Sequence, residues 1–179
     1  MGIFNFNKKK IKKRREQLCH DAEIFIQVHF VRETPTDEKH KYNTLSLKSD
    51  PDREACAEWY ANHNNPETFS EIVMAYLKDN EKNEASLCER YQLEKNFLSN
   101  LRSDKKYHPS KGEAILIAFA FKLNYEETKA LLKAAEHSFS NSSKSDLIIR
   151  FFIDKREYNV GDLNYVLDKF CELNIKDLV

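Results

Sequence analysis

Lys95, Asn96 and Asn100, followed closely by Arg102, Lys105, Lys106 and Lys111, gather amide and cationic donors within a short stretch of the chain. An Asn amide can bond both edge atoms of adenine, and Lys can reach guanine or a phosphate. Arg and Lys set around such a cluster neutralise phosphates without reading bases. A second cationic run lies near the start, where Lys8, Lys9, Lys10, Lys12, Lys13, Arg14 and Arg15 carry 7 of the chain's 29 positive charges. The net charge is zero, so the rest holds 22 positive against 29 negative charges. A basic arm on a mildly acidic body has three candidate counterparts: phosphates, anionic lipid, or its own acidic surface. A solvated tail is the fourth reading.

Catalytic and metal chemistry find little support. Glycine occurs only at positions 2, 112 and 161, too sparsely for a phosphate-cradling loop. The six histidines, His20, His29, His40, His63, His108 and His137, are scattered. Cys19 adjoins His20, but neighbours on a helix point apart. The trio Lys106, Tyr107 and His108 reads more simply as a turn before Pro109 than as an RNA-cleaving set. Cys19, Cys56, Cys88 and Cys171 form no CxxC pair, so reduced thiols are expected. The expectation is a non-enzyme with no metal and no cofactor. No run approaches the roughly 18 apolar residues of a membrane span. MGIFNF is short for a signal peptide, and Phe6 occupies the place where myristoylation wants Ser or Thr. A cytoplasmic protein follows.

The elements that must position the donors emerge from periodicity. Ile24, Ile26, Val28 and Phe30 alternate with Phe25, Gln27 and His29, which predicts a strand over 23–31, pairing with YNTLSLK as a hairpin. A short helix is expected over 52–61. From Pro66 onward the period is helical. Phe69, Ile72, Val73, Tyr76 and Leu77 make one apolar face, opened by a capping box of Thr68 and Glu71. Further helices are expected over 84–91, 94–102, 112–123, 124–137, 144–154 and 160–173. AILIAFAF inside the fourth helix of this series holds no polar residue and must be the central core helix.

Residues 87–104, LCERYQLEKNFLSNLRSD, resemble the helix-turn-helix of the lambda-repressor-like (Cro-type, XRE) family. Leu87 with Cys88, Leu93, and Leu98 with Leu101 match its core positions; Pro109 with Ser110 and the Ala118, Ala120, Leu123, Asn124 series match the helix that follows. The resemblance covers about 68–135. It implies a mainly α fold: a helix-turn-helix bundle over 66–137, preceded by a basic arm (1–20) and a small α/β segment (21–65). A two-helix C-terminal extension (138–179) packs on it. It also implies a DNA-binding bacterial or phage regulator acting on double-stranded DNA as a homodimer. Lys95, Asn96 and Asn100 would read bases; Arg102, Lys105, Lys106, Lys111, Lys12, Lys13, Arg14 and Arg15 would hold phosphates.

Residues 67–137 carry 11 positive and 12 negative charges, so DNA affinity must come from one concentrated face or from the arm. The run from RSDKKYHPSK to SSKSDLIIRFFI also looks like a helical accessory module at the C-terminus of assorted bacterial multidomain proteins. On that reading the protein is an adaptor, inhibitor or defence-system accessory that keeps the helical fold without reading DNA. Phe97 and Tyr107 would be the exposed aromatics that meet a protein partner.

Overall fold

The computed structural model describes residues 2–31, 67–79, 84–91, 93–94, 96–104 and 107–178. Among the described residues there are eight α-helices and no strand. They are α1 (Gly2–His29), α2 (Phe69–Asp79), α3 (Glu84–Arg90), α4 (Phe97–Ser103), α5 (Lys111–Phe121), α6 (Tyr125–Ala134), α7 (Lys144–Asp154) and α8 (Val160–Cys171). A single 3-10 turn, Ile175–Asp177, follows.

The helix starts are written in side chains. Thr68 and Glu71 exchange both bonds of a capping box, the Glu71 N–H donating to Thr68 Oγ1 at 3.3 Å and the Thr68 N–H to Glu71 Oε2 at 3.0 Å. Ser110 with Glu113 and Asn124 with Glu127 repeat the device at α5 and α6. Asn159 Oδ1 accepts the Asp162 N–H at 3.0 Å to open α8. The helix ends follow another rule. Lys122, Glu136 and Arg156 stand in the left-handed region, letting Leu123, His137 and Glu157 donate back five residues to Ala118, Leu132 and Phe152. Glycine usually fills such positions; here charged residues do.

Gly112 and residues 114–120 are buried, so α5 is the axis of the molecule, as its unbroken apolar run requires. It packs on α6 and on the final 3-10 turn, while α6 also meets α2 and α7. Helices α7 and α8 pair, and α1 lies across both.

The strand expected over 23–31 is instead the last turns of α1, which runs without a break through residue 20, where the arm was expected to end. Leu18, Ala22 and Ile26, four apart, are buried, whereas Ile24 and Val28 stay 49% and 72% exposed. An apolar stretch of this kind fits period two and period 3.6 equally well until Leu18 and Ala22 are included in the window. Tertiary packing then outweighs the β-branched preference of Ile and Val: burying each Leu or Ile gains about 1.5–3 kcal/mol. The rest of the expected α/β segment, YNTLSLK and the helix over 52–61, lies outside the described residues.

Gly112 is fixed by crowding. A Cβ there would lie 2.2 Å from the Ile175 carbonyl oxygen, and the Gly112 N–H donates to Leu178 O at 3.0 Å. The C-terminal turn therefore rests directly on the α5 backbone. Gly112→Ala is expected to cost about 1–3 kcal/mol in urea unfolding. The loss should shrink in a chain truncated after Asn174, because the colliding carbonyl is then gone.

Candidate nucleic-acid interface

Helices α3 and α4 are short, seven residues each, and are held by side chains rather than by their own hydrogen bonds. After α3 the chain turns back with the Leu93 N–H donating to Cys88 O at 2.9 Å. Of the positions assigned to the core from sequence, Leu87, Leu93, Leu98 and Leu101 are buried and Cys88 is half-buried.

The outer side of α4 is a continuous polar stripe. Asn96, Ser99, Asn100 and Ser103 fall at i, i+3, i+4 and i+7 and are exposed, with Arg102 exposed beside them. Asn96 stands at the N-cap, yet its side chain makes no capping bond, so its amide is left to the solvent side. The Ser99 hydroxyl donates to Asn96 O at 2.8 Å and the Ser103 hydroxyl to Asn100 O at 3.2 Å. Both hydroxyl oxygens thereby keep their lone pairs outward as acceptors. No carboxylate occurs within α4. Ser99 and Ser103 were missed from sequence, although the same spacing that marks Asn96 and Asn100 includes them.

Several assigned residues have other partners. Phe97, expected at the surface, is 1% exposed: its position one residue from Leu98 and four from Leu101 puts it on the inner face. Tyr107 packs edge-on against Phe97 with ring centres 5.9 Å apart, and its hydroxyl donates to Glu113 at 3.4 Å. Burial and the Glu113 carboxylate raise its pKa. Phe97 is thus an inner plug under α4, with Tyr107 half-buried at its edge.

Lys111, expected on phosphates, is bound at 2.7 Å to Asp146, whose side chain is 3% exposed and also accepts the Ser140 N–H at 2.8 Å. Arg14 and Arg15 also turn inward. Arg15 Nε donates to Asp162 Oδ1 at 2.7 Å while its guanidinium covers the Tyr165 ring; Arg14 reaches Glu157 at 2.7 Å and Asp162 at 3.4 Å. For these two residues the arm's counterpart is the chain's own acidic surface. Pulling either arginine onto a phosphate would take a partner from a carboxylate whose side chain is 6% exposed.

Lys8, Lys9, Lys10, Lys12 and Lys13 remain exposed along the first turns of α1. Lys12 has only a 3.8 Å contact to exposed Glu16, worth a few tenths of a kcal/mol at most. Lys95, Lys105 and Lys106 lie outside the described residues.

The scattered reactive groups are occupied separately. His137 donates to Pro109 O at 3.0 Å and His29 to Phe25 O at 2.9 Å; His108 stands 3.8 Å from Glu136. Burial pushes the Cys19 and Cys171 thiols up. Among the described residues no helix is long and apolar enough to cross a membrane. Comparisons with protein-family models, curated proteins and solved structures find no match to this chain.

Two expectations test these assignments. Lys111→Met should lower stability by roughly 3–5 kcal/mol in chemical unfolding, since it leaves Asp146 buried with one partner fewer. It should not alter the salt dependence of any nucleic-acid affinity. On α1, hydrogen bonds from Lys155 and then Gln17 hold the Asp21 carboxyl below its ordinary value. The unfolded carboxyl therefore takes up its proton first as pH falls. This contribution to α1 docking is present above the ordinary carboxylate range and is lost on acidification through the lowered value. Hydrogen exchange of the α1 amides should quicken relative to α5 on going from about pH 6 to about pH 3, and Asp21→Asn should flatten that difference.

Proposed function

We propose that this protein is a DNA-binding regulator of bacterial or phage type, acting in the cytoplasm, with α3 and α4 as its helix-turn-helix. The observation that supports the reading is the α4 stripe: amides and hydroxyls at helical spacing, without a carboxylate, backed by a plug of Phe97, Leu98 and Leu101. Such a face suits base edges in a major groove, where Asn96 and Asn100 would bond adenine and the two serines would supply adaptable contacts. Lys95 belongs to the same reading by sequence. Arg102, Lys105 and Lys106 would hold the flanking phosphates, and the α1 lysines would add charge at a distance. Arg14, Arg15 and Lys111 have no part in it. A single seven-residue helix spans too few base pairs for useful specificity, so a homodimer on a two-fold site completes the proposal.

A protein-interaction module is the second reading. What favours it is an exposed apolar strip, Ile24 and Val28 on α1 with Val31 just past its end, beside a groove of about 400 Å³ floored by Phe25 and Phe151.

Binding to mixed and selected duplexes across a salt series separates the two. Lys105→Glu with Lys106→Glu should weaken all duplexes alike and reduce the salt slope by roughly two. Asn96→Ala with Asn100→Ala should change sequence preference, by about 1–3 kcal/mol at each base pair concerned. Sedimentation of the complex should show two chains per duplex. If the wild-type chain binds no duplex at low salt, or both variants behave as wild type, base reading fails and the α1 strip becomes the surface to pursue.

A further inference from the structure

A cleft of about 780 Å³ opens where the ends of α3, α5 and α7 meet the start of α8 and the middle of α1. Its walls carry Arg90, Lys122 and Arg156, one cation from each of three helix ends, together with Arg14 from α1. Two carboxylates share these walls: Glu157 binds Arg14 at 2.7 Å, and Glu127, which accepts the Asn124 N–H at 2.8 Å in its capping box, keeps its charge, so four cations stand against two anions. Among the described residues Arg90, Lys122 and Arg156 have no carboxylate within ion-pair distance, and Arg90 meets only the Tyr91 ring, at 6.0 Å.

Two of these cations are held at a conformational cost. Lys122 and Arg156 both have φ near 55°, the left-handed region where glycine is at ease and a Cβ is not. Among the described residues the other two left-handed side chains are glutamates, Glu136 and Glu172, and neither lines the cleft. The cleft is also pre-shaped. Tyr158 in its wall donates to Leu123 O at 2.8 Å and packs edge-on against Phe119 at 5.5 Å, so its ring cannot swing away.

We propose that this cleft is a binding site for a phosphorylated small molecule of mononucleotide size, its phosphate held by Arg90, Lys122 and Arg156. Cations in excess of the carboxylates around them repel one another, and a multiply charged anion relieves that repulsion where a neutral ligand does not. The volume suits one small ligand, and the Tyr158 ring offers a flat apolar wall for the part that carries no charge. The site involves neither the α4 stripe nor the α1 lysines, so it stands or falls separately from DNA binding. Because its walls include Arg14 and Gly161, an occupant touches both the α3–α6 bundle and the junction of α1 with α8.

The test is calorimetric titration of the full chain with inorganic pyrophosphate and with AMP at low salt. Lys122→Gly with Arg156→Gly should bind both probes at least tenfold more weakly while its melting temperature stays level or rises, because glycine relieves both left-handed positions. Glu136→Gly relieves the same backbone conformation outside the cleft and should keep wild-type affinity. Loss of affinity at undiminished stability in the double variant alone is the expected result. Wild-type chain that binds neither probe at millimolar concentration, or a double variant that binds both as wild type does, overturns the proposal.

Discussion

The Asp162 carboxylate is nearly sealed from water at the start of α8, and much of the molecule is arranged around satisfying it. A carboxylate in that setting must be paired and hydrogen-bonded or it would not stay charged. Arg15 and Arg14 supply the pairing from α1, a separation of 147 residues for the Arg15 bond. That contact sets the register of α1, so that Leu18, Ala22 and Ile26 fall onto α7 and α8. The Asp162 backbone N–H meanwhile completes the cap by donating to Asn159. One residue thus starts a helix with its backbone and fastens the first helix to the last with its side chain. Asp146 does the equivalent at α7, tying that helix and the Ser140 loop to Lys111 at the start of the central α5.

Those two aspartates explain why the site was only partly legible in the sequence. Short-range signals carried the bundle well. The apolar series from Phe69 to Leu77, the capping boxes at Thr68 and Asn124, and the unbroken AILIAFAF run all mark helices at the observed places. The outward placement of Asn96 and Asn100 was legible for the same reason, since it follows from Leu98 and Leu101 pointing in. What failed needs knowledge of distant partners. Nothing near Arg14, Arg15 or Lys111 in the sequence reveals that each meets a buried carboxylate more than thirty residues away. By charge alone they look identical to the lysines that remain at the surface.

Phe97 and the first helix failed for a different reason, a choice of reference frame. Phe97 stands four residues before Leu101 and so shares its inner face, a spacing that the expectation of an exposed aromatic overlooked. Alternation over 23–31 suggested a strand because the window stopped short of Leu18, where the buried helical face begins. The neutral overall charge of the central bundle is also resolved in space. Three of its twelve acidic residues, Glu71, Glu113 and Glu127, close capping boxes, while α4 itself carries none.

The lysines of α1 stand on a helix whose later turns are clamped to the body, so they behave as studs on a rod and not as beads on a string. A rod gives up little configurational freedom on touching a polyanion, which favours contact. It also fans Lys8, Lys9, Lys10, Lys12 and Lys13 over an arc of roughly 200°, since successive residues are turned by about 100°. No flat or gently curved surface can meet all five together. The positive charge of this segment is therefore larger on paper than in any one encounter.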